Sequence, residues 1–114
     1  MTVALVAVAG ALGACGRAVL ARRRPPWGVA AVNVAGSLVL GVVAGLVLYR
    51  GLGDRTRLVV GVGFCGAFTT FSTFVHDVVS ADRRLRARYA AVTVAGSLLA
   101  AAAGLALVSA LSTR

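Results

Sequence analysis

The chain has 114 residues, of which 60% are hydrophobic and 13% are charged, and its 12 basic residues against three acidic ones give a net charge of +9. A soluble domain of this size has too high a surface-to-volume ratio to hide so much apolar surface, so lipid is the expected solvent. The basic residues are all arginines in short clusters between apolar runs. That pattern is typical of membrane flanks and excludes a nucleic-acid-binding face.

Four apolar runs divide the chain, at about residues 2–21, 28–49, 58–76 and 89–111. Each approaches the ~20 residues that cross the hydrocarbon core of a bilayer. They predict an all-α membrane protein with four transmembrane helices in a single domain, residues 1–114, located in the cell membrane as a multi-pass protein. Because so few helices enclose little interior, we expect an oligomer.

Positive charges follow the first apolar run in the sequence. They are Arg22, Arg23 and Arg24, and no charged side chain precedes the run. A secretory signal has its positive charges before the apolar segment, so we expect this run to be a retained helix. Arg17 lies about one turn before this cluster. Its side chain either snorkels to the interface or forms an electropositive vestibule that attracts an anion.

The second run contains one strongly polar residue, Asn33, with Ser37 one turn later on the same face. An asparagine in hydrocarbon is costly unless it finds a partner. Asn33 is therefore either a hydrogen-bonding link between helices or a donor that lines a path. Gly41 and Gly45 form a small-residue pair that predicts a packing seam.

The third run is unusual because glycines fill its first half and hydroxyl side chains its second half. Glycine weakens a helix, and serine or threonine can satisfy the backbone groups that a break sets free. Broken membrane helices commonly line a site, where freed carbonyls bind cations and the new N-terminus favours anions. Phenylalanines spaced three apart share one face and alternate with the hydroxyls. The residues concerned are Gly61, Gly63, Gly66, Phe68, Thr69, Thr70, Phe71, Ser72, Thr73 and Phe74.

The last third of the chain holds His76 and Asp77 at the expected interface, then an arginine-rich loop at residues 80–88, then the fourth helix with Thr93 and Ser97 one turn apart. Counting arginines places the two arginine-rich loops in the cytoplasm and both termini outside.

Cys15 and Cys65 are predicted to be buried thiols, since no zinc-type spacing exists. No nucleophile and base are paired in the sequence, so no enzyme is predicted.

Three stretches of the chain resemble the CrcB/Fluc family of fluoride channels: residues 10–14 with Arg17, residues 32–37 and residues 63–74. The string from Gly66 to Phe74 is highly specific. The resemblance covers essentially the whole chain. It implies an antiparallel, dual-topology dimer with a broken third helix and two narrow pores that export fluoride passively from the cytoplasm and so reduce fluoride toxicity.

The resemblance also implies functional residues. A structural sodium ion at the dimer centre would be held by the backbone carbonyls of Gly66 and Thr69. The fluoride pore would be lined by Asn33, Phe71, Ser72, Thr73, Phe74 and Ser97, with Arg17 in the vestibule. Phenyl rings have positive edges that can face an anion, and the polar side chains can donate hydrogen bonds to it.

The chain departs from the family pattern where Ala18 and Thr93 replace common tyrosines and where Ala67 replaces a common glycine. Its arginine bias also departs from the balance expected of a chain that inserts both ways, so the partner is either an identical chain or a related one of opposite orientation.

Two alternatives remain. A small proton-coupled multidrug exporter needs a membrane-embedded carboxylate, whereas this chain has no glutamate and its aspartates lie in loops or at helix ends. A non-conducting subunit of a paired channel would not need phenyl and hydroxyl groups in lipid.

Overall fold

The computed structural model describes residues 1–114, and nearly all of them are helical. Four helical segments are long and apolar enough to cross a membrane: the first helix (Thr2–Ala21), the second helix (Trp27–Arg50), the third span (Asp54–Ser80) and the fourth helix (Arg83–Ser112). No strand is present. The predicted all-α fold with four spans is confirmed, and the chain is a multi-pass membrane protein.

The four spans form a thin slab that measures 45 × 34 × 17 Å. The long dimension is that of the 30-residue fourth helix, which at ~1.5 Å per residue is about 45 Å long. The short dimension is less than two helix diameters of ~10–12 Å. Only 19 of the 114 residues are therefore buried, and many large apolar side chains are exposed.

The second and fourth helices pack closely because glycines bring their backbones together. A Cβ atom on Gly104 would lie 2.5 Å from a carbonyl oxygen of the second helix, and one on Gly41 would lie 2.8 Å from the carbonyl carbon of Ala101. A Cβ atom on Gly45 would meet Val108 at 2.7 Å. The packing seam predicted at Gly41 and Gly45 is confirmed, and the fourth helix is its partner.

The ends of these two helices are also joined. Gly51 ends the second helix in the left-handed conformation (φ 64°), which glycine adopts without steric cost. The preceding Arg50 donates from Nε to the Ser112 hydroxyl (2.8 Å) and from its terminal nitrogen to the Leu111 carbonyl (3.1 Å). The last turn of the fourth helix is thus held against the last turn of the second.

The fourth helix begins earlier than its apolar run indicates. It starts at Arg83, not near residue 89, because the Asp82 side chain accepts a hydrogen bond from the Leu85 backbone N–H (2.9 Å) and caps the helix. The arginines that were predicted to lie in a loop at residues 80–88 instead occupy its first turns. Only Ala81 and Asp82 separate it from the third span.

The two cysteines have different environments. Cys65 is 2% exposed, as predicted, whereas Cys15 is exposed on the first helix and the prediction of burial there is wrong. The slab is too thin to cover every face of a peripheral helix, so an apolar run does not specify which small side chains are inside.

A small core lies at the arginine-rich end of the slab. Tyr89 is fully buried, with its ring centroid 5.7 Å from that of Trp27 and 5.6 Å from that of Phe74. The guanidinium carbon of Arg88 lies 5.8 Å from the centroid of the Trp27 ring. The two arginine-rich connections therefore lie at the same end of the molecule, as the alternation of four spans predicts.

Candidate functional site

The third span is broken near its middle. Helical turns run through residues 54–68, with wide π-type turns at Arg57–Cys65, and a separate helix occupies Phe71–Ser80. Between them Thr69 (φ −80°, ψ 159°) and Thr70 (φ −149°, ψ 125°) are extended. The predicted broken helix is confirmed, and two extended residues form the break.

Asn33 of the second helix joins the break directly. Its Nδ2 donates to the Thr70 carbonyl oxygen (2.9 Å), and its Oδ1 accepts from the Thr70 backbone N–H (2.8 Å). Both backbone polar groups of Thr70 are thereby satisfied by one side chain. This geometry matches the interpretation of Asn33 as a hydrogen-bonding link between helices. One Nδ2 hydrogen remains free to donate, since the amide carries two.

The threonine hydroxyls satisfy further backbone groups on each side of the break. The Thr69 hydroxyl donates to the Cys65 carbonyl (2.9 Å). The Thr70 hydroxyl accepts from the Thr73 backbone N–H (3.3 Å) and donates to the Thr73 hydroxyl (3.1 Å), so Thr70 caps the helix that follows. These contacts confirm the predicted role of hydroxyl side chains at the break.

The carbonyl oxygens of Gly66 and Thr69 have a different environment, because neither accepts a hydrogen bond within the chain. Gly66 is exposed and Thr69 partly buried. No cluster of three histidine, cysteine or acidic side chains exists to hold a metal ion. A cation at this place would be held by backbone oxygens, which suit hard cations such as sodium.

A cavity of about 360 Å³ opens beside the break. It is lined by residues of the second helix, both parts of the third span and the fourth helix. Ser72 and Thr73 are exposed on the third span outside this lining, and Arg17 is partly buried on the first helix, also outside it. The predicted site residues that the cavity brings together are Asn33, Gly66, Thr69, Phe71, Phe74 and Ser97.

Two hydroxyls in the cavity lining have no partner. The side-chain oxygens of Thr93 and Ser97 are buried and make no hydrogen bond of good geometry, although the Thr93 hydroxyl lies near that of Tyr89. A buried polar group without a partner is costly, so each hydroxyl would gain from a hydrogen-bonding partner in the cavity that its residue lines. Thr93 is not among the pore residues that the family resemblance implies, but it lies one turn before Ser97 and lines the same cavity.

The two cavity phenylalanines differ in exposure. Their ring centroids are 6.0 Å apart, with Phe74 only 9% exposed and Phe71 77% exposed. Phe74 packs on the buried ring of Tyr89, whereas most of the Phe71 ring is exposed. A partner surface would be needed to enclose Phe71.

Sequence reasoning missed Tyr89 because its position fell at the edge of the predicted loop. The side chain donates weakly to Asp77 (3.4 Å) and lies one helical turn before Thr93. Tyr89, Thr93 and Ser97 recur every four residues and so share a helix face. That spacing is the signal that would have extended the polar stripe to Tyr89.

The arrangement is that of a multi-pass membrane protein built around a broken helix. A sequence profile described as CrcB-like protein, Camphor Resistance (CrcB), matches residues 4–105, and the chain belongs to this family.

Relatives named as fluoride-specific ion channels match most of the chain. It is 48% identical to "Fluoride-specific ion channel FluC 1" of Symbiobacterium thermophilum, covering 94% of this chain and 97% of that protein. It is 46% identical to FluC 1 of Rhodococcus jostii (90% and 82% covered) and 44% identical to FluC 2 of the same organism (93% and 91% covered). These relatives are named as ion channels, in agreement with the prediction that the chain is not an enzyme.

Proposed function

We propose that this chain forms a fluoride-specific channel that lets fluoride leave the cytoplasm down its gradient and so reduces fluoride toxicity. The observation that carries the proposal is the cavity at the broken span, which combines two phenyl rings with unpartnered hydroxyls. The 48% identity to a protein named as a fluoride-specific ion channel supports the choice of ion.

The chemistry of the cavity suits a small, strongly hydrated anion. Fluoride is a strong hydrogen-bond acceptor, so a path must replace its water with donors. The hydroxyls of Thr93 and Ser97 and the second Nδ2 hydrogen of Asn33 supply them. The positive edges of Phe71 and Phe74 add attraction while excluding water.

A second subunit in the opposite orientation would complete the site. The slab is 17 Å thick, the cavity opens on its surface, and Phe71, Ser72 and Thr73 are exposed beside the opening. A facing copy of the broken span would cover these groups and enclose two pores. The partner is an identical chain or a paralogue; Rhodococcus jostii has two relatives of this chain.

The centre of such a dimer would hold a sodium ion. The carbonyl oxygens of Gly66 and Thr69 are the donors that fit it, because they have no partner within the chain. Bound there, sodium would neutralise the carbonyl ends of both breaks and add a positive charge near the anion path. It would be structural and would not be transported.

Arg17 extends the positive potential toward the end of the first helix. It is partly buried and forms no ion pair with any of the three aspartates. An uncompensated arginine at the end of a membrane span attracts anions to the mouth of a path. We assign it to the vestibule.

Fluoride efflux from liposomes tests the proposal. Vesicles loaded with potassium fluoride and containing the purified chain should release fluoride rapidly in sodium buffer and slowly without sodium. Release only after the paralogue is added would identify a paired channel. No release in either case, from protein that is folded and inserted, would leave a non-conducting subunit and overturn the channel proposal.

A further inference from the structure

A second cavity, of about 430 Å³, lies apart from the broken span and shares no residue with the first. It is a groove on the first and second helices, and its lining is apolar except at one end. The residues that line it are Leu20, Arg23, Arg24, Trp27, Gly28, Ala31, Val32, Ala35 and Phe68.

The groove runs from the membrane interface toward the interior. Trp27, Ala31 and Ala35 recur every four residues along the second helix and so form one wall. From Trp27 to Ala35 this wall spans about 12 Å at ~1.5 Å per residue. Phe68 marks the deep end, because its ring lies 3.4 Å from the Cβ position of Gly16 and 3.2 Å from that of Gly36.

Two arginines stand at the shallow end, on the turn between the first and second helices. Neither Arg23 nor Arg24 makes an ion pair or a side-chain hydrogen bond; the ion pairs of the chain are Arg57 with Asp54 and His76 with Asp77. The guanidinium of Arg88 lies over Trp27 and adds a third positive charge beside the opening. The mouth of the groove therefore lacks a counterion.

The turn that carries these arginines is held tightly against the second helix. A Cβ atom on Gly28 would lie 2.6 Å from the carbonyl oxygens of Ala21 and Arg23, so only glycine allows this approach. Arg24 adopts a positive φ of 57°, which is uncommon for residues other than glycine, asparagine and aspartate. The backbone thus places both arginine residues at the opening.

We propose that this groove binds one anionic phospholipid. The phosphate lies between Arg23 and Arg24, since guanidinium groups pair with phosphate through two hydrogen bonds, and one acyl chain follows the apolar wall toward Phe68. Trp27 lies at the headgroup level, where tryptophan is favoured. Basic pockets between membrane helices take anionic headgroups in this way, whereas a zwitterionic headgroup offers no net charge to the unpaired arginines.

Trp27 provides the reporter, because it is the one tryptophan in the chain and it lines the groove. The full chain is reconstituted in phosphatidylcholine vesicles with a small fraction of either brominated phosphatidylglycerol or brominated phosphatidylcholine, and quenching of Trp27 fluorescence is compared. The anionic lipid should quench several times more strongly at equal fraction. Equal quenching by the two lipids, as expected if a second copy of the chain covers the groove, would overturn the proposal.

Variants separate a defined site from general surface charge. Arg23→Gln should lower the preference for the anionic lipid, and adding Arg24→Gly, which suits the positive φ at residue 24, should bring quenching by the two lipids close to equality. Arg22→Gln removes one positive charge, as Arg23→Gln does, from the same turn but outside the groove lining, and should leave the preference unchanged. An equal loss in the Arg22 variant would contradict the site.

A third variant fills the groove without changing its charge. Ala31 is exposed on the groove wall, so Ala31→Phe should be tolerated by the fold and should displace the acyl chain. We expect loss of the lipid preference with all arginines present. Retained preference in this variant would show that the apolar groove takes no part, and the helical circular dichroism of each variant serves as the folding control.

Discussion

Asn33 and Thr70 form a reciprocal pair in which one side-chain amide satisfies both the N–H and the C=O of one backbone residue, at 2.8 and 2.9 Å. The two residues are 37 positions apart in sequence. The break in the third span is therefore stabilised from another helix as well as by its own hydroxyls. An unsatisfied buried backbone group costs ~1–3 kcal/mol, so this pair decides whether the break is tolerated.

Replacing Asn33 by alanine should destabilise the chain and abolish fluoride flux. Two polar groups of Thr70 lose their partner, which predicts a loss of about 2–4 kcal/mol in the free energy of unfolding. Denaturant titration and liposome efflux measure the two effects. Val39→Ala, on an exposed part of the same helix, is the control and should change neither. Wild-type stability in the Asn33 variant would contradict the role assigned to the pair.

The two cavity phenylalanines should respond differently to isoleucine. Phe74→Ile removes a ring that packs on Tyr89 and should cost about 1–2 kcal/mol as well as flux. Phe71→Ile alters a ring that is 77% exposed and should reduce flux while leaving the stability of the isolated subunit unchanged. Unfolding curves and efflux rates distinguish the cases. Undiminished flux in both variants would remove the phenyl edges from the mechanism.

Thr93→Val should reduce fluoride flux without destabilising the chain. The Thr93 hydroxyl is buried without a partner, so an apolar group of similar shape should leave stability equal or raise it by about 1 kcal/mol. Fluoride efflux should fall because a donor is lost from the path. Thr93→Ser keeps the hydroxyl and should retain efflux. A stability loss in the valine variant would indicate that the hydroxyl has a structural partner.

Gly41→Ala should disrupt the packing of the second helix on the fourth. The added methyl group would meet the backbone of Ala101, which cannot move as a side chain can, and overpacking of this kind costs about 3 kcal/mol. Gly53→Ala is the matched control, because no atom lies within 4 Å of its Cβ position. Denaturant titration should show a large loss in the first variant and none in the second.

Sodium should raise the thermal stability of the assembled protein. A ligand that binds only the folded state stabilises it in proportion to the logarithm of its concentration above Kd. We expect the unfolding temperature to increase with sodium chloride but not with N-methylglucamine chloride at equal ionic strength. Identical unfolding temperatures in the two salts would count against a sodium ion at the carbonyls of Gly66 and Thr69, whatever the efflux assay gives.

Much of this fold follows from sequence patterns with a simple physical basis. The four spans follow from hydropathy, the seam at Gly41 from small-residue spacing, and the break from a glycine-rich half followed by hydroxyls. Most residues of the candidate site meet in one cavity because they lie on three spans that must surround the break. The identity of the ion came from the family resemblance and from no residue pattern alone.

The remaining features depend on contacts between distant residues. The fourth helix begins earlier than predicted, because the arginines lower the hydropathy of its first turns without preventing a helix. The Asp82 cap decides where the helix begins. The exposure of Cys15 depends on how thin the slab is, and the full burial of Tyr89 depends on rings from two other spans. No local pattern specifies such tertiary neighbours.

The close packing of the second helix on the fourth has a consequence for synthesis at the membrane. Gly41 meets Ala101, and Arg50 bonds to Ser112, 62 positions later in the sequence. The fourth helix therefore leaves the ribosome after the second helix that requires it. A nascent chain truncated before residue 101 lacks the partner that closes the glycine seam of the second helix.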